Sequence, residues 1–269
     1  MVPFRNYLLE AGKTSSFWRC AMSSGDVYET LFRQWASVSK LVVDGKRDSA
    51  KVSKVLQDLI DEPCDSYERA RLILGKDFIS AKEISHARGV SYSDEQLKTF
   101  TETLPSESVL TWLRDNGCTL VAGPPNPMSL LDIWTIKPKY FYAKSGGWYQ
   151  DDSQKFSRND KVATAWLGLC KALVPNSTNK KWDEQSVLLT EVERVPNAAE
   201  FAWGVTSYKA VRGAYLFKGM YARTSSVSLV GSRVYLGDFD QDGLNVYDDW
   251  DDHCYYDLGV ASARIFNPA

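Results

Sequence analysis

The residues best able to do chemistry lie close together near the C-terminal end of the sequence. Between Tyr235 and Asp257, fourteen of twenty-three residues are Asp, Tyr, Asn or His. They are Tyr235, Asp238, Asp240, Asp242, Asn245, Tyr247, Asp248, Asp249, Asp251, Asp252, His253, Tyr255, Tyr256 and Asp257. Three chemistries suit such a mixture. The run Asp238-Phe-Asp240-Gln-Asp242-Gly243 sets carboxylates at alternating positions before a glycine turn, as a calcium loop does. Asp249 then falls at the twelfth position of that loop. Two features weigh against calcium: Asn245 stands where such a loop carries an apolar residue, and the flanks read as strands rather than helices. His253 beside Cys254 supplies a base and a thiol, but sequence neighbours do not make a catalytic dyad, and the only other histidine is His86. The third chemistry is binding. Tyrosine offers a large contact area, few rotors and a polar tip, and Trp250 adds to it.

Charge singles out the same segment. From Tyr235 to Ala269 there are eight acids and one base, Arg264, a net of −7. The whole chain carries only −2, so the other 234 residues carry +5. A concentrated negative surface favours cationic partners and speeds their encounter.

The scaffold that must hold this segment has an ordinary composition, 44% hydrophobic and 25% charged over 269 residues. A chain of this length buries enough surface to fold without metal or disulfides. Its 13% aromatic content excludes general disorder. No apolar run approaches the roughly 20 residues of a membrane span. No apolar leader follows Met-Val-Pro-Phe-Arg, so the expected location is cytoplasmic or virion-associated. The five cysteines (20, 64, 118, 170 and 254) are never closer than 44 residues, which leaves no C-x-x-C pair. Free thiols are the expectation.

The first half reads as helical. Asp26 and Asp48 can cap two helices over 26–62, joined at Asp44-Gly45 and stopped by Pro63. Their apolar stripes are Val27, Leu31, Phe32, Trp35 and Val38, then Val52, Val55, Leu56, Leu59 and Ile60. Residues 66–73 are a further helix. Ser80 caps one ending near Gly89, Ser93 with Gln96 forms a capping box, and Ser106 opens another that stops at Gly117. The pair over 81–101 has the outline of a DNA-binding helix-turn-helix. Between Asp65 and Cys118, however, seven bases face eight acids. A phosphate-binding surface needs a positive excess, so a packing pair is the favoured reading and direct nucleic-acid binding is not expected.

Gly123-Pro-Pro-Asn-Pro127 marks the expected boundary, because three prolines in that stretch stop any helix. Six of the nine tryptophans follow it. Alternation in Ile133–Ile136 and Tyr140–Tyr142 predicts short strands. Lys161–Leu173 reads as a helix with Val162, Trp166, Leu169 and Leu173 on one side. Asn197 caps a helix to about Val211, with Glu200 at its third position and Gly213 after it. Short β segments are expected at 214–217, 221–225, 233–236 and 259–266. The fold class is therefore α+β, with a helical region over 1–125 and an aromatic-rich domain over 126–269.

Asp, Tyr, Asn and His also share a coding relation. Changing the first adenine of the asparagine codons AAC and AAT yields codons for Asp, His or Tyr. Around this mixture runs a regular frame: Gly237, Phe239, Gly243, Leu244, Val246, Trp250, then Leu258-Gly-Val-Ala-Ser-Ala-Arg264. Gln241 and Cys254 are not reached by that single change. With Val174-Pro-Asn-Ser-Thr, Trp182-Asp-Glu-Gln and Arg233–Val246, these features resemble the variable proteins of diversity-generating retroelements. In those systems a reverse transcriptase copies a template with adenine-directed errors into the 3′ end of a target gene. The resemblance covers about the last 140 residues. It implies a C-type lectin fold of the formylglycine-generating-enzyme type, in which the variable side chains project from a solvent-facing surface. It implies a binding protein and not an enzyme, without cofactor, whose partner is a macromolecule, either a protein or a cell surface. Trp250 and Phe239 are expected in the frame. The two competing expectations are a calcium site at Asp238, Asp240, Asp242 and Asp249, and a DNA reader at 81–101.

Overall fold

The computed structural model describes residues 25–61 and 65–266. The chain divides into two compact units, one ending at Pro63 and the other beginning at Cys64. In the first unit, α1 (Gly25–Val43) and α2 (Ser49–Asp61) are joined by the expected turn at Asp44-Gly45. The Asp48 carboxylate caps α2, accepting from the amide of Ala50 at 2.8 Å. Helix α1 begins one residue before Asp26, and Pro63, Cys64 and Cys20 lie outside the described residues.

The second unit contains everything else. Four short helices, α3 (Ser66–Leu74), α4 (Ala81–Arg88), α5 (Asp94–Glu102) and α6 (Glu107–Asp115), come first. Between α3 and α4 lies β1 (Phe78–Ile79). After α6 come β2 (Cys118–Ala122), β3 (Met128–Ser129), α7 (Leu130–Ile136), α8 (Phe156–Asn159), β4 (Lys161–Val162) and β5 (Trp166–Cys170). The chain continues through α9 (Trp182–Ser186), β6 (Glu193–Arg194) and α10 (Ala198–Arg212). It finishes with β7 (Tyr221–Val227), β8 (Arg233–Asp240), β9 (Gly243–Asp249), β10 (Leu258–Val260) and β11 (Ala263–Arg264).

These elements form an α+β arrangement. One sheet has the order β1-β2-β5-β11-β6 and another β10-β7-β8-β9, while β3 and β4 pair separately. Helix α10 packs against β2 and β5 of the first sheet and β7 and β8 of the second. That position explains why its burial runs almost continuously from Ala198 to Tyr208 instead of along one stripe. Both of its ends follow the sequence: the Asn197 and Glu200 capping box is formed, and Gly213 terminates it in a left-handed conformation. Within the core, the Trp203 indole donates to the Ala122 carbonyl at 2.9 Å, and the Trp166 indole to that of Phe100 at 2.9 Å.

The structure differs from the sequence reading in several places. Neither Tyr140–Tyr142 nor 214–217 is a strand: Pro138–Tyr140 is a single 3-10 turn, Phe141 makes only an isolated bridge to Leu244, and 214–217 is irregular. The expected division at 125/126 falls inside the second unit, because β1 and β2 lie in the same sheet as β5 and β11. Lys161–Leu173 is β4 and β5, not a helix: all five residues of β5 are buried, so an unbroken apolar run replaces alternation. Ile133–Ile136 is helical, because Ser129 and Asp132 form a capping box immediately before it. Finally, Cys118 lies opposite Cys170 on adjacent antiparallel strands and the two form a disulfide, where free thiols were expected. Cys254 is free and exposed. Among the described residues, no helix is long and apolar enough to cross a membrane.

Candidate functional site

Strands β8 and β9 form a hairpin that carries most of the segment singled out by sequence. Val234, Leu236 and Phe239 of β8, with Leu244 and Val246 of β9, are buried. The register sets Tyr235 opposite Tyr247, Gly237 opposite Asn245 and Arg233 opposite Asp249 on the other face. Gly237 is required here by close approach, since a Cβ at this position would come within 2.1 Å of the Met220 carbonyl oxygen. Gly243 opens β9 at φ +122°, and a Cβ there would meet the Phe141 backbone at 2.4 Å.

Three tyrosines share the outward face. The rings of Tyr221 and Tyr235 are 5.5 Å apart, Tyr221 and Tyr247 6.1 Å, and Tyr235 and Tyr247 5.9 Å. Cross-strand aromatic contacts of this kind help fix the register. Burial, and then the nearby Asp249 carboxylate, push the Tyr235 phenol up to about 12. Burial and then Asp238 hold the Tyr221 phenol well above its ordinary value. Tyr221 belongs to β7 and was missed by the sequence reading, because it lies outside the run of Asp, Tyr, Asn and His codons.

The other expected residues fall into distinct settings. Asp238 lies at a bulge with φ +41°, a conformation tolerated better by Asp and Asn than by other side chains. Its carboxylate accepts from the Gly219 amide at 2.9 Å. Asp240 accepts from the Asp242 amide at 2.8 Å, closing the turn at the tip of the hairpin. Asn245 is buried at 8% exposure, so it is not a free contact residue; its amide donates to the Asp238 carbonyl. Asp248 lies on the same strand face as Val246, opposite Val234, and accepts from the Ser232 hydroxyl. Asp249 accepts from the Trp250 amide at 2.8 Å and meets the His253 ring at 2.7 Å. Asp252, His253, Tyr255 and Tyr256 are exposed on the following loop, and Asp251 and Asp257 are half-buried there. Trp250 is 52% exposed and so is not part of the buried frame; Phe239 is buried as expected.

The calcium constellation does not assemble. Asp249 is at the far end of β9 from the turn, six residues beyond Gly243 or about 20 Å along an extended strand. Among the described residues, no group of three or more His, Cys, Asp or Glu side chains could hold a metal ion. The pair over 81–101 also does not stand free. Helix α4 packs on α10, and Arg88 is buried over the Trp203 ring at 4.2 Å while donating to Thr206 and Ser207.

What holds the 250–257 loop is its main chain. The Arg223 guanidinium, fully buried, donates to the carbonyls of Trp250 at 3.2 Å and His253 at 2.8 Å. The Trp182 amide donates to the Asp251 carbonyl at 2.8 Å, the Asn179 amide to that of Tyr255 at 2.9 Å, and the Tyr221 amide to that of Asp257 at 2.7 Å. Five loop carbonyls are therefore satisfied by donors outside the segment. Arg223 is itself located by Gln185 and the Lys180 carbonyl, and its burial lowers its proton affinity. Side chains of the loop also contribute: Asp251 pairs with Arg233 at 3.0 Å, Arg233 lies over the Trp182 ring at 4.0 Å, and the His253 ring meets Asp249 at 2.7 Å.

No protein-family model, curated protein or solved structure matches this chain.

Proposed function

We propose that this chain is a ligand-binding protein whose 235–257 segment is a diversified surface, varied by adenine-directed mutagenesis and displayed on a C-type-lectin-like scaffold. The observation that carries this reading is the anchoring of the 250–257 loop through five main-chain carbonyls. A carbonyl is the same whichever side chain its residue bears. Donors placed outside the segment thus keep the loop in position while Asp252, His253, Tyr255 and Tyr256 change. The alternation of buried frame and outward tyrosines in β8 and β9 supports the same reading, because substitutions in a core typically cost about 2–5 kcal/mol and surface ones far less.

The partners of His253 and Cys254 give no support to a dyad between the two. The histidine ring contacts Asp249, and the thiol lies 3.8 Å from the Asp252 carbonyl oxygen. The proposed partner is a macromolecule, a protein or a cell surface. The positions best suited to vary are Tyr235, Tyr247, Asp252, His253, Tyr255 and Tyr256. Asp238 and Asn245 are narrower, since one holds a positive φ and the other is buried.

The decisive experiment is to sequence the encoding locus. It should hold a near-copy of the segment with adenines at these codons, beside a reverse-transcriptase gene. A locus with neither would overturn diversification.

A further inference from the structure

The outward face combines aromatic faces with negative charge that the protein itself leaves largely unneutralised. Tyr221, Tyr235 and Tyr247 form a triangle of rings, each pair within about 6 Å, and Tyr247 remains 40% exposed. Tyr255, 45% exposed, lies next to His253 on the adjoining loop. The phenols respond to Asp249 on one side and to Asp238 and Asp257 on the other. Among the described residues, Asp251 is the only one of the segment's eight acids in an ion pair with Lys or Arg, while Asp249 meets the His253 ring at 2.7 Å. Arg223 lies beneath the loop with its guanidinium turned to carbonyls. The face thus has a negative rim and exposed ring faces, both of which attract a cation.

The start of β8 in the same sheet already shows the chemistry. Arg233 lies over the Trp182 ring at 4.0 Å while its guanidinium pairs with Asp251 at 3.0 Å. An aromatic face with a carboxylate beside it suits guanidinium, which is planar, stacks on rings and forks onto carboxylates.

We propose that the partner of this surface is a basic polypeptide segment, and that an arginine side chain of it docks on the Tyr221, Tyr235 and Tyr247 rings with its guanidinium toward Asp249. This inference rests on the reading of the segment as a binding surface and gives the chemistry of its ligand.

The test uses the full chain and a fluorescent nonaarginine peptide, with nonaglutamate and a Gly/Ser peptide as controls, read by anisotropy at low and high salt. Nonaarginine should bind, the controls should not, and affinity should fall with salt. Tyr235→Ala with Tyr247→Ala should weaken binding about tenfold or more, while the corresponding Phe pair should stay within about threefold because the ring faces remain. Asp249→Asn with Asp257→Asn should weaken binding and flatten its salt dependence. Circular dichroism on each variant separates loss of binding from loss of fold, and the Phe pair serves where the Ala pair unfolds. Equal binding by the folded Ala pair, or loss of binding by the Phe pair, overturns the proposal by showing diffuse attraction or a contact through the hydroxyls. A random-peptide display selection distinguishes the two levels. Peptides that need the rings but lack enriched Lys or Arg overturn the cationic ligand and leave the binding surface standing. No ring-dependent peptide, together with a locus lacking the template copy, overturns both.

Discussion

The capped helices of the second unit and the 250–257 loop solve the same problem in opposite ways. Around α4, α5, α7 and α10, unpaired amides are satisfied by particular side chains: Ser80 with Glu83, Ser93 with Gln96, Ser129 with Asp132, and Asn197 with Glu200. Ion pairs of the same region, such as Arg212 with Glu83 and Lys171 with Asp77, also depend on residue type. The loop is held mostly by its own carbonyls, and the side chains that serve it lie elsewhere. Geometry that rests on side chains constrains sequence where the geometry is. Geometry that rests on main chain moves that constraint to distant positions, here Arg223 and the backbone of Asn179, Trp182 and Tyr221.

The strongest way to break this contrast is to remove the distant anchor. Arg223→Met should destabilise the protein by about 3–5 kcal/mol, because several main-chain carbonyls and the Gln185 side-chain carbonyl lose their donor. Chemical denaturation measures it, and loss of loop protection in hydrogen exchange should accompany it. A cost under about 1 kcal/mol would show that the loop does not depend on this residue. Next come the caps. Ser80→Ala and Asn197→Ala should each cost about 1 kcal/mol and leave ligand binding unchanged, as side-chain anchoring away from the surface requires.

A smaller effect concerns acid. Burial raises the Glu83 carboxyl, but hydrogen bonds from Ser80 and the Arg212 guanidinium outweigh it and hold the group below its ordinary value. Glu193 behaves likewise: its burial is outweighed by hydrogen bonds from Ser262 and Thr190. A depressed folded value means that stability is present above the unfolded carboxylate range, about pH 4.3, and is lost as pH falls through the folded value. Thermal melts across that window should therefore steepen in the wild type and flatten in Glu83→Gln. The smallest effect sharpens the contrast most. Replacing Asp252, His253, Tyr255 and Tyr256 together with Asn should change stability by no more than about 0.5 kcal/mol per site. A collapse of the fold would show that the loop depends on its side chains after all.

The local signals were legible in sequence. Ser80, Ser93, Asn197 and Gly213 each marked the helix end at which they stand, because a cap is a relation across three or four residues. The frame of Phe239, Leu244 and Val246 was legible because burial on one sheet face repeats every second residue. Long-range features were not. Nothing near Trp166–Cys170 reveals that both faces of β5 are covered, and periodicity cannot distinguish such a strand from a buried helix. The prolines at 124, 125 and 127 looked like a domain boundary, but sheet pairing between β2 and β5 runs across them. Arg223 carried no signal at all, since its partners lie 27 to 43 residues away in sequence. The candidate surface was legible through its residue types, whereas its division between outward face, hairpin tip and loop needed the register.

Gly237 and Gly243, which accept no Cβ, have a consequence at the level of the gene. Every glycine codon begins with two guanines, and any adenine in its third position is synonymous. A copying error confined to adenines therefore passes over the two places in the hairpin where a side chain would collide with Met220 or Phe141. Under the proposed adenine-directed mutagenesis, the genetic code itself would protect these two steric contacts of the hairpin, without any need to select against their loss.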